Sequence, residues 1–348
     1  MEVQYAARWT CRHVRLVRSL PADIERRNTK EKTVGGKRGR TMSTAVVLQQ
    51  MLVIFLLMGA GFFLFRKHMV SGCASRDLST LITQVCNPAI ILASALDENA
   101  TATRMDILVT GGIAAVSYLA LILMGMVLPR LLRVEPGQRR FYSMMTVYGN
   151  TGFIGIPVVS AVLGTSAVIY VTVFNLFFNV LVYTHGIAVL REGTGERRKH
   201  SFWKNFCNVG TLSAVLAIVI FWFGIPLPRV LGDSLSYAGR CTTFLSMAVL
   251  GGTLAQMPLR ELFDEWRLYA FVVIRMILFP AAAALILKGM FTNEMMIGAS
   301  VLVLAMPVAN MPLMLAKQYG LECGILSKGI VLTTLLSLIT ITIVSVVL

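Results

Sequence analysis

The sequence predicts an all-α polytopic membrane protein, with ten transmembrane helices arranged as two inverted five-helix repeats. Three observations predict this fold class. Of the 348 residues, 56% are hydrophobic and 14% are charged, whereas a soluble domain carries roughly 25% charged residues. Apolar windows of about 20 residues, the length that spans a bilayer, recur after residue 42. The fourth and ninth windows are interrupted in the same way.

The ten apolar windows cover nearly all of the chain after residue 42. They lie at about 43–65, 75–96, 106–129, 141–163, 165–190, 206–225, 233–257, 266–288, 294–316 and 325–347. A basic connection at 192–205 divides the chain into a first five-helix repeat, 42–191, and a second, 206–348. Because each half holds an odd number of spans, the second half inserts upside down, as in many secondary transporters.

The charges of the connections predict the orientation. The connections after the odd-numbered windows hold sixteen Lys and Arg, and the opposite connections hold four, which are Arg104, Arg229, Arg240 and Lys288. Since Lys and Arg accumulate in cytoplasmic loops, the connection between helices five and six is expected in the cytoplasm. Both ends of the ten-helix bundle are then extracytoplasmic, and the protein is expected in the cell (inner) membrane.

The first 41 residues do not fit this orientation. They carry eleven Lys and Arg and lack the continuous apolar core of a secretory signal. One interpretation is a disordered extension, or one that begins upstream of a natural start at Met42. The other is a cytoplasmic basic arm, which requires an inverted topology or an additional span. Without this segment the formal charge falls from +15 to +8 (21 Lys and Arg minus 13 Asp and Glu), so the charge does not predict nucleic-acid binding.

The interruption of the fourth window reads YGNTGFIGIP (148–157), and that of the ninth reads AMPVANMPLML (305–315). Each combines Asn with Pro in mid-membrane. Pro157 and either Pro307 or Pro312 remove a backbone donor and clash with the preceding helical turn. Interruptions at corresponding positions of two halves point to the transport site of a secondary transporter.

These segments carry a resemblance to a known family. The blocks YGNTGFIGIPVVSAVLG (148–164), VCNPAIILASAL (85–96) and AMPVANMPLMLAKQYG (305–320) resemble the auxin efflux carrier family, which contains plant auxin exporters and bacterial malate or malonate permeases. The likeness covers about residues 45–348. It implies a fold related to bile-acid symporters and sodium–proton antiporters, in which broken helices four and nine cross at mid-membrane.

The resemblance also implies a mechanism. Helices three, four, five, eight, nine and ten would form a mobile transport domain, and helices one, two, six and seven a scaffold, with elevator-type alternating access between them. Family members are often dimers through the scaffold. In the family, helix five supplies a polar residue near the substrate, and Asn175 matches that position better than Asn179.

The crossover predicts an anion site. Helix N-termini present free N–H groups and partial positive charge, and they bind anions without Lys or Arg. Gly149 and Gly152 allow close approach of the backbone, and Asn150, Thr151 and Asn310 add polar groups. For the glycines, small-residue helix packing is the competing explanation. We therefore expect a small carboxylate to bind at these residues.

Two further positions carry open alternatives. Asn87, before Pro88 in helix two, either faces the substrate or bonds to a neighbouring helix. Arg275 lies about nine residues into helix eight, near mid-depth at about 1.5 Å per residue. A charged side chain there is a candidate functional residue. It either counters an anionic substrate or caps the carbonyl ends of a broken helix.

Several features that the sequence lacks reduce the number of possible function classes. No Asp or Glu lies in the middle of a predicted span, and neither a P-loop motif nor a metal-ligand cysteine spacing occurs. Catalytic residues, metals and cofactors are not expected, and the chain is not expected to be an enzyme. The predicted function is secondary transport of small organic anions, such as malate, malonate or auxin-like acids. The alternatives are a cation-coupled symporter of amphipathic acids and a non-transporting membrane sensor.

Overall fold

Helices account for most of the residues that the computed structural model describes, which are 44–96, 102–191, 209–255, 265–322 and 324–348. The helices are α1 Thr44–Arg66, α2 72–95, α3 Arg104–Leu131, α4 Arg139–Val147, α5 Thr151–Leu163, α6 Thr165–Arg191, α7 Val209–Phe223, α8 Arg229–Ala255, α9 Trp266–Met290, α10 Glu294–Leu304, α11 Met311–Gln318 and α12 Gly324–Val347. Residues 42–348 form one unit. The basic extension 1–41 and the connection 192–205 lie outside the described residues.

Six of these helices are long and apolar enough to cross a membrane. They are α1, α2, α3, α6, α9 and α12. Many large apolar side chains on them face outwards, among them Leu56 and Val116, as expected where lipid covers the surface. The chain is therefore a multi-pass membrane protein.

The other four predicted windows form shorter or less apolar helices. The fourth and ninth are divided into α4 with α5 and α10 with α11, and α7 has only 15 residues. Helix α8 is long enough, but it begins at Arg229 and includes Asp233 and Arg240, which lower its hydropathy. The helix begins about one turn before the boundary predicted at residue 233, so Arg229 lies in it. Arg240, which the orientation argument counts with a connection, also lies in the helix.

Local sequence explains where several helices begin and where they widen. Thr103 and Asp106 form a reciprocal capping box at the start of α3, which satisfies two free N–H groups. Wider π turns precede Pro88, Pro157 and Pro280. Because proline clashes with the carbonyl four residues before it, a π turn lets each helix continue through its proline.

Helices α1 and α8 approach each other so closely that only glycine fits at the contact. A Cβ atom added to Gly251 would lie 2.0 Å from the carbonyl oxygen of Met58, and one added to Gly61 would lie 2.4 Å from that of Ala248. Small residues of this kind permit close helix packing in membranes. The α1–α8 pair is therefore a rigid contact.

Gly251→Ala should separate α1 from α8 and lower the free energy of unfolding by about 1–3 kcal/mol, because overpacking displaces backbone. The melting temperature of the purified protein in detergent measures this effect. Gly59→Ala is the matched control in α1, since nothing lies within 4 Å of the added atom. Equal melting temperatures for the two variants would contradict the close contact.

Candidate functional site: the helix crossover

The two predicted interruptions are breaks in the helices, and they lie against each other. Helix α4 ends at Val147 and α5 begins at Thr151, while α10 ends at Leu304 and α11 begins at Met311. We call residues 148–150 together with 305–310 the crossover. Four helix ends therefore meet at one place, two of them C-terminal and two N-terminal.

Backbone hydrogen bonds join the two breaks in a short antiparallel bridge between Gly149 and Val308. The Asn150 amide donates to the Pro307 carbonyl at 2.7 Å, and the Ala309 amide donates to the Tyr148 carbonyl at 3.0 Å. Each break thus supplies partners for polar groups that the other exposes. This pairing makes broken backbone tolerable away from water.

Two glycines lie where the breaks of the crossover meet. A Cβ on Gly149 would lie 3.4 Å from both the Met306 carbonyl oxygen and the Nη2 atom of Arg275, at the limit of an ordinary van der Waals contact. Gly152 has more room, since a Cβ there would meet only the Nδ2 atom of Asn87, at 3.7 Å. A methyl group at either position would therefore lie beside polar groups of the crossover.

Arg275 binds the two C-terminal ends at the crossover. Its side chain is 2% exposed, and it donates from Nε to the Thr146 carbonyl and from Nη1 to the Leu304 carbonyl. These carbonyls lie at the ends of α4 and α10, where each helix dipole is negative. The sequence left two roles open for Arg275, and these hydrogen bonds correspond to the one in which it caps the carbonyl ends of broken helices. Direct contact with substrate stays a prediction.

Within the part of the chain that the structure describes, no acidic side chain is bonded to the two N-terminal ends. Every described Asp and Glu lies in the first two turns of a helix or in a connection. The partial positive charge at the starts of α5 and α11 therefore has no carboxylate partner there, and helix ends of this kind can bind anions.

Polar side chains surround the N-terminus of α5. The Oδ1 atom of Asn150 accepts from the Phe153 amide at 3.0 Å and so caps the helix. The Thr151 hydroxyl donates to Oδ1 of Asn175 on α6, also at 3.0 Å. Asn87 on α2 lies beside Gly152, and its buried Oδ1 has no hydrogen-bond partner within the described ranges. Four of the predicted residues, with Gly152, are thus neighbours.

The remaining predicted residues are Asn310 and three prolines, which lie in the second break or in the helices that follow the two breaks. Asn310 is half-buried and immediately precedes α11, where its carbonyl accepts from the Met314 amide. Pro307 lies in the second break, and Pro312 lies in the first turn of α11. Pro157 lies inside α5, beyond the first break and after the π turn. The first break therefore precedes its proline.

Sequence reasoning missed several residues that hold the crossover. The hydroxyl of Tyr148 donates to the Leu181 carbonyl at 2.8 Å and lies 3.0 Å from Nδ1 of His185. Thr333 on α12 accepts from the Val308 amide at 3.1 Å. His185, six residues before the end of α6, is half-buried against Tyr148. Three residues that the sequence did predict, Arg275, Thr151 and Asn87, lie in or directly after the π turn that precedes a proline.

Comparison with known proteins gives the same class of protein. A family model described as "Membrane transport protein" matches residues 46–345. An uncharacterised transporter of Methanocaldococcus jannaschii is 29% identical over 211 residues, which are 57% of this chain and 65% of that relative. A protein of Rhizobium meliloti named "Putative malonate transporter" is 25% identical over 315 residues, which are 86% of this chain and 93% of the relative.

The spanning helices and the family match define a multi-pass membrane transporter. The chain belongs to the auxin efflux carrier family of membrane transport proteins, and the resemblance seen in the sequence is confirmed. Within the described residues, no group of three or more His, Cys, Asp and Glu could hold a metal ion.

Proposed function

We propose that the protein is a secondary transporter of small organic anions, namely mono- or dicarboxylates such as malate, malonate or auxin-like acids. The observation that carries the proposal is the crossover, where Arg275 caps both C-terminal ends and two N-terminal ends remain for an anion. Asn150, Thr151, Asn175 and Asn87 supply side-chain polar groups around the first of these ends, and Asn310 lies at the second. The name of the Rhizobium relative supports a dicarboxylate.

The proposed mechanism is elevator-type alternating access between two inverted five-helix repeats. The broken helices α4–α5 and α10–α11 occupy corresponding places in the two halves. Helix α1 packs mainly on α8 and next on α12, and α2 packs mainly on α7 and α8, while α3 packs on α4 and α6, and α9 packs on α10. This grouping favours a scaffold of α1, α2, α7 and α8, through which a homodimer forms, and a moving domain made of the other helices.

The electrical driving force depends on the direction of transport. In the proposed orientation the connection 192–205 lies in the cytoplasm and both bundle ends lie outside. An inside-negative membrane potential favours the export of an anion. Each charge gains about 2.3 kcal/mol per 100 mV. Export therefore needs no coupled ion, whereas import does.

Uptake of labelled malonate and malate into proteoliposomes tests the function. We expect saturable uptake that unlabelled dicarboxylate competes away and that empty liposomes lack. Absence of carboxylate flux in a folded protein would favour the membrane sensor, and a strict sodium or proton requirement would favour the cation-coupled symporter.

Gly152→Ala should weaken malonate transport at least about tenfold, because the methyl group fills the space between α5 and Asn87 and displaces about one charge-assisted hydrogen bond. Only Asn87 Nδ2, at 3.7 Å, lies near the added atom, so the fold accommodates it. Gly111→Ala, where nothing lies within 4 Å, is the control. Unchanged transport by Gly152→Ala would place the substrate elsewhere.

A further inference from the structure

A cavity of about 880 Å³ lies between α2, α7, α8 and the end of α5. Its rim includes Leu96, Thr165 and residues 224–227, which end or follow α2, α5 and α7. All three belong to the connections that are poor in Lys and Arg. The cavity therefore opens on the side opposite the basic connections, which is the extracytoplasmic side in the proposed orientation.

One face of α8 lines this cavity with polar side chains. Arg229, Asp233, Ser236 and Arg240 all line it, and their spacing of four, three and four residues places them on one face of a helix. A polar face on a membrane helix is costly unless it meets water or protein. The cavity supplies that polar surrounding.

Arg240 lies farther along α8 than the other charges of this face, and its side chain is exposed. It lies eleven residues after Arg229, the first residue of the helix, or about 16 Å along the axis at about 1.5 Å per residue. Its neighbour Gly239 packs on α2, since a Cβ there would lie 2.9 Å from the Cα atom of Ile90. Ile90 is about one helical turn after Asn87, beside the crossover. The inner end of the cavity thus approaches the proposed substrate site.

The formal charge of the cavity lining is positive. Two arginines and one aspartate line it, which gives +1 (two minus one). Asp233 is closer along the helix to Arg229, four residues away, than to Arg240, seven residues away, and within the described residues it forms an ion pair with neither. Within the described ranges, Arg240 forms no ion pair; its guanidinium lies 5.8 Å from the ring centroid of Tyr237. An arginine that lines a cavity without an acidic partner can bind an anion through its guanidinium.

We propose that this cavity is a second anion site, in which Arg240 binds a carboxylate group of the substrate as it passes between the extracytoplasmic side and the crossover. The inference rests on the proposed function. A guanidinium matches the geometry of a carboxylate and binds it through charge-assisted hydrogen bonds. The site acts only on anions presented from the cavity side, which distinguishes it from the crossover.

Malonate uptake into right-side-out and inside-out membrane vesicles tests the site. Arg240→Gln should raise the half-saturating malonate concentration about tenfold in the orientation that presents the cavity to added malonate, and leave the other orientation unchanged. Asp233→Asn, which raises the cavity charge to +2, should lower that concentration in the same orientation. Arg240→Lys, which keeps the positive charge, should raise the half-saturating malonate concentration less than Arg240→Gln does. Arg104→Gln removes an exposed charge outside the cavity and is the matched control.

Failure of this inference is distinguishable from failure of the proposed function. If the wild type takes up malonate and neither Arg240→Gln nor Asp233→Asn changes the half-saturating malonate concentration, the second site is overturned. The proposal for the crossover is then unaffected. Equal changes in both orientations would show a structural effect and would also overturn it. Wild-type vesicles without saturable malonate uptake would overturn both proposals for this anion. If Arg240→Gln does not fold, Asp233→Asn and Arg240→Lys decide the outcome.

Discussion

Arg275→Met should cause the largest loss of stability of any single substitution at the crossover. The change leaves the Thr146 and Leu304 carbonyls without their donor, and each unsatisfied buried group costs about 1–3 kcal/mol. It also removes the cation that compensates the negative ends of α4 and α10. The melting temperature in detergent and the yield of monodisperse protein measure the loss.

Arg275→Lys separates the two roles open to this side chain. Lysine keeps the charge, but its compact ammonium group cannot reproduce the planar fork of a guanidinium, so we expect stability between those of wild type and Arg275→Met. Transport should fall in parallel with stability if capping is the role. A lysine variant of wild-type stability that fails only in transport would instead assign Arg275 to the substrate.

Asn150→Asp should abolish carboxylate transport while leaving the fold intact. Aspartate caps a helix N-terminus about as well as asparagine, so the bond from the Phe153 amide is preserved. The new negative charge occupies the positive end of α5 and repels an anion. At an effective dielectric of about 20, two charges 4 Å apart interact by about 4 kcal/mol, and transport should fall by at least about 100-fold.

Asn150→Ala is the companion variant. It removes the cap and should lower the free energy of unfolding by about 1 kcal/mol, with a smaller transport defect than Asn150→Asp. Uptake of labelled malonate and the melting temperature, measured on the same preparations, separate the two effects. Carboxylate uptake by Asn150→Asp at the wild-type rate would show that the anion does not bind at the N-terminus of α5.

Much of the proposed site could be predicted because its chemistry is local. The Asn–Thr pair between glycines at 149–152 and Asn310, the last residue of the second break, mark helix N-termini directly in the sequence. The choice of Asn175 came from family resemblance, and its bond to Thr151 places it at the crossover. The helix boundary near Arg229 was misjudged because hydropathy alone cannot distinguish a polar connection from the polar face of a helix beside a cavity.

The class of protein, six of its spans and the two breaks could be predicted from the sequence, since hydropathy and helix-breaking residues act over a few neighbours. How the two breaks contact each other follows from the packing of the helices. Arg275 reaches a carbonyl 129 positions away, and the bridge joins Gly149 to Val308. Hydrophobic periodicity in the sequence does not predict such contacts, because they depend on how the helices pack and on the π turns that rotate their side chains. The pairing of opposite helix ends, with one cation on the negative pair, is thus a property of the fold.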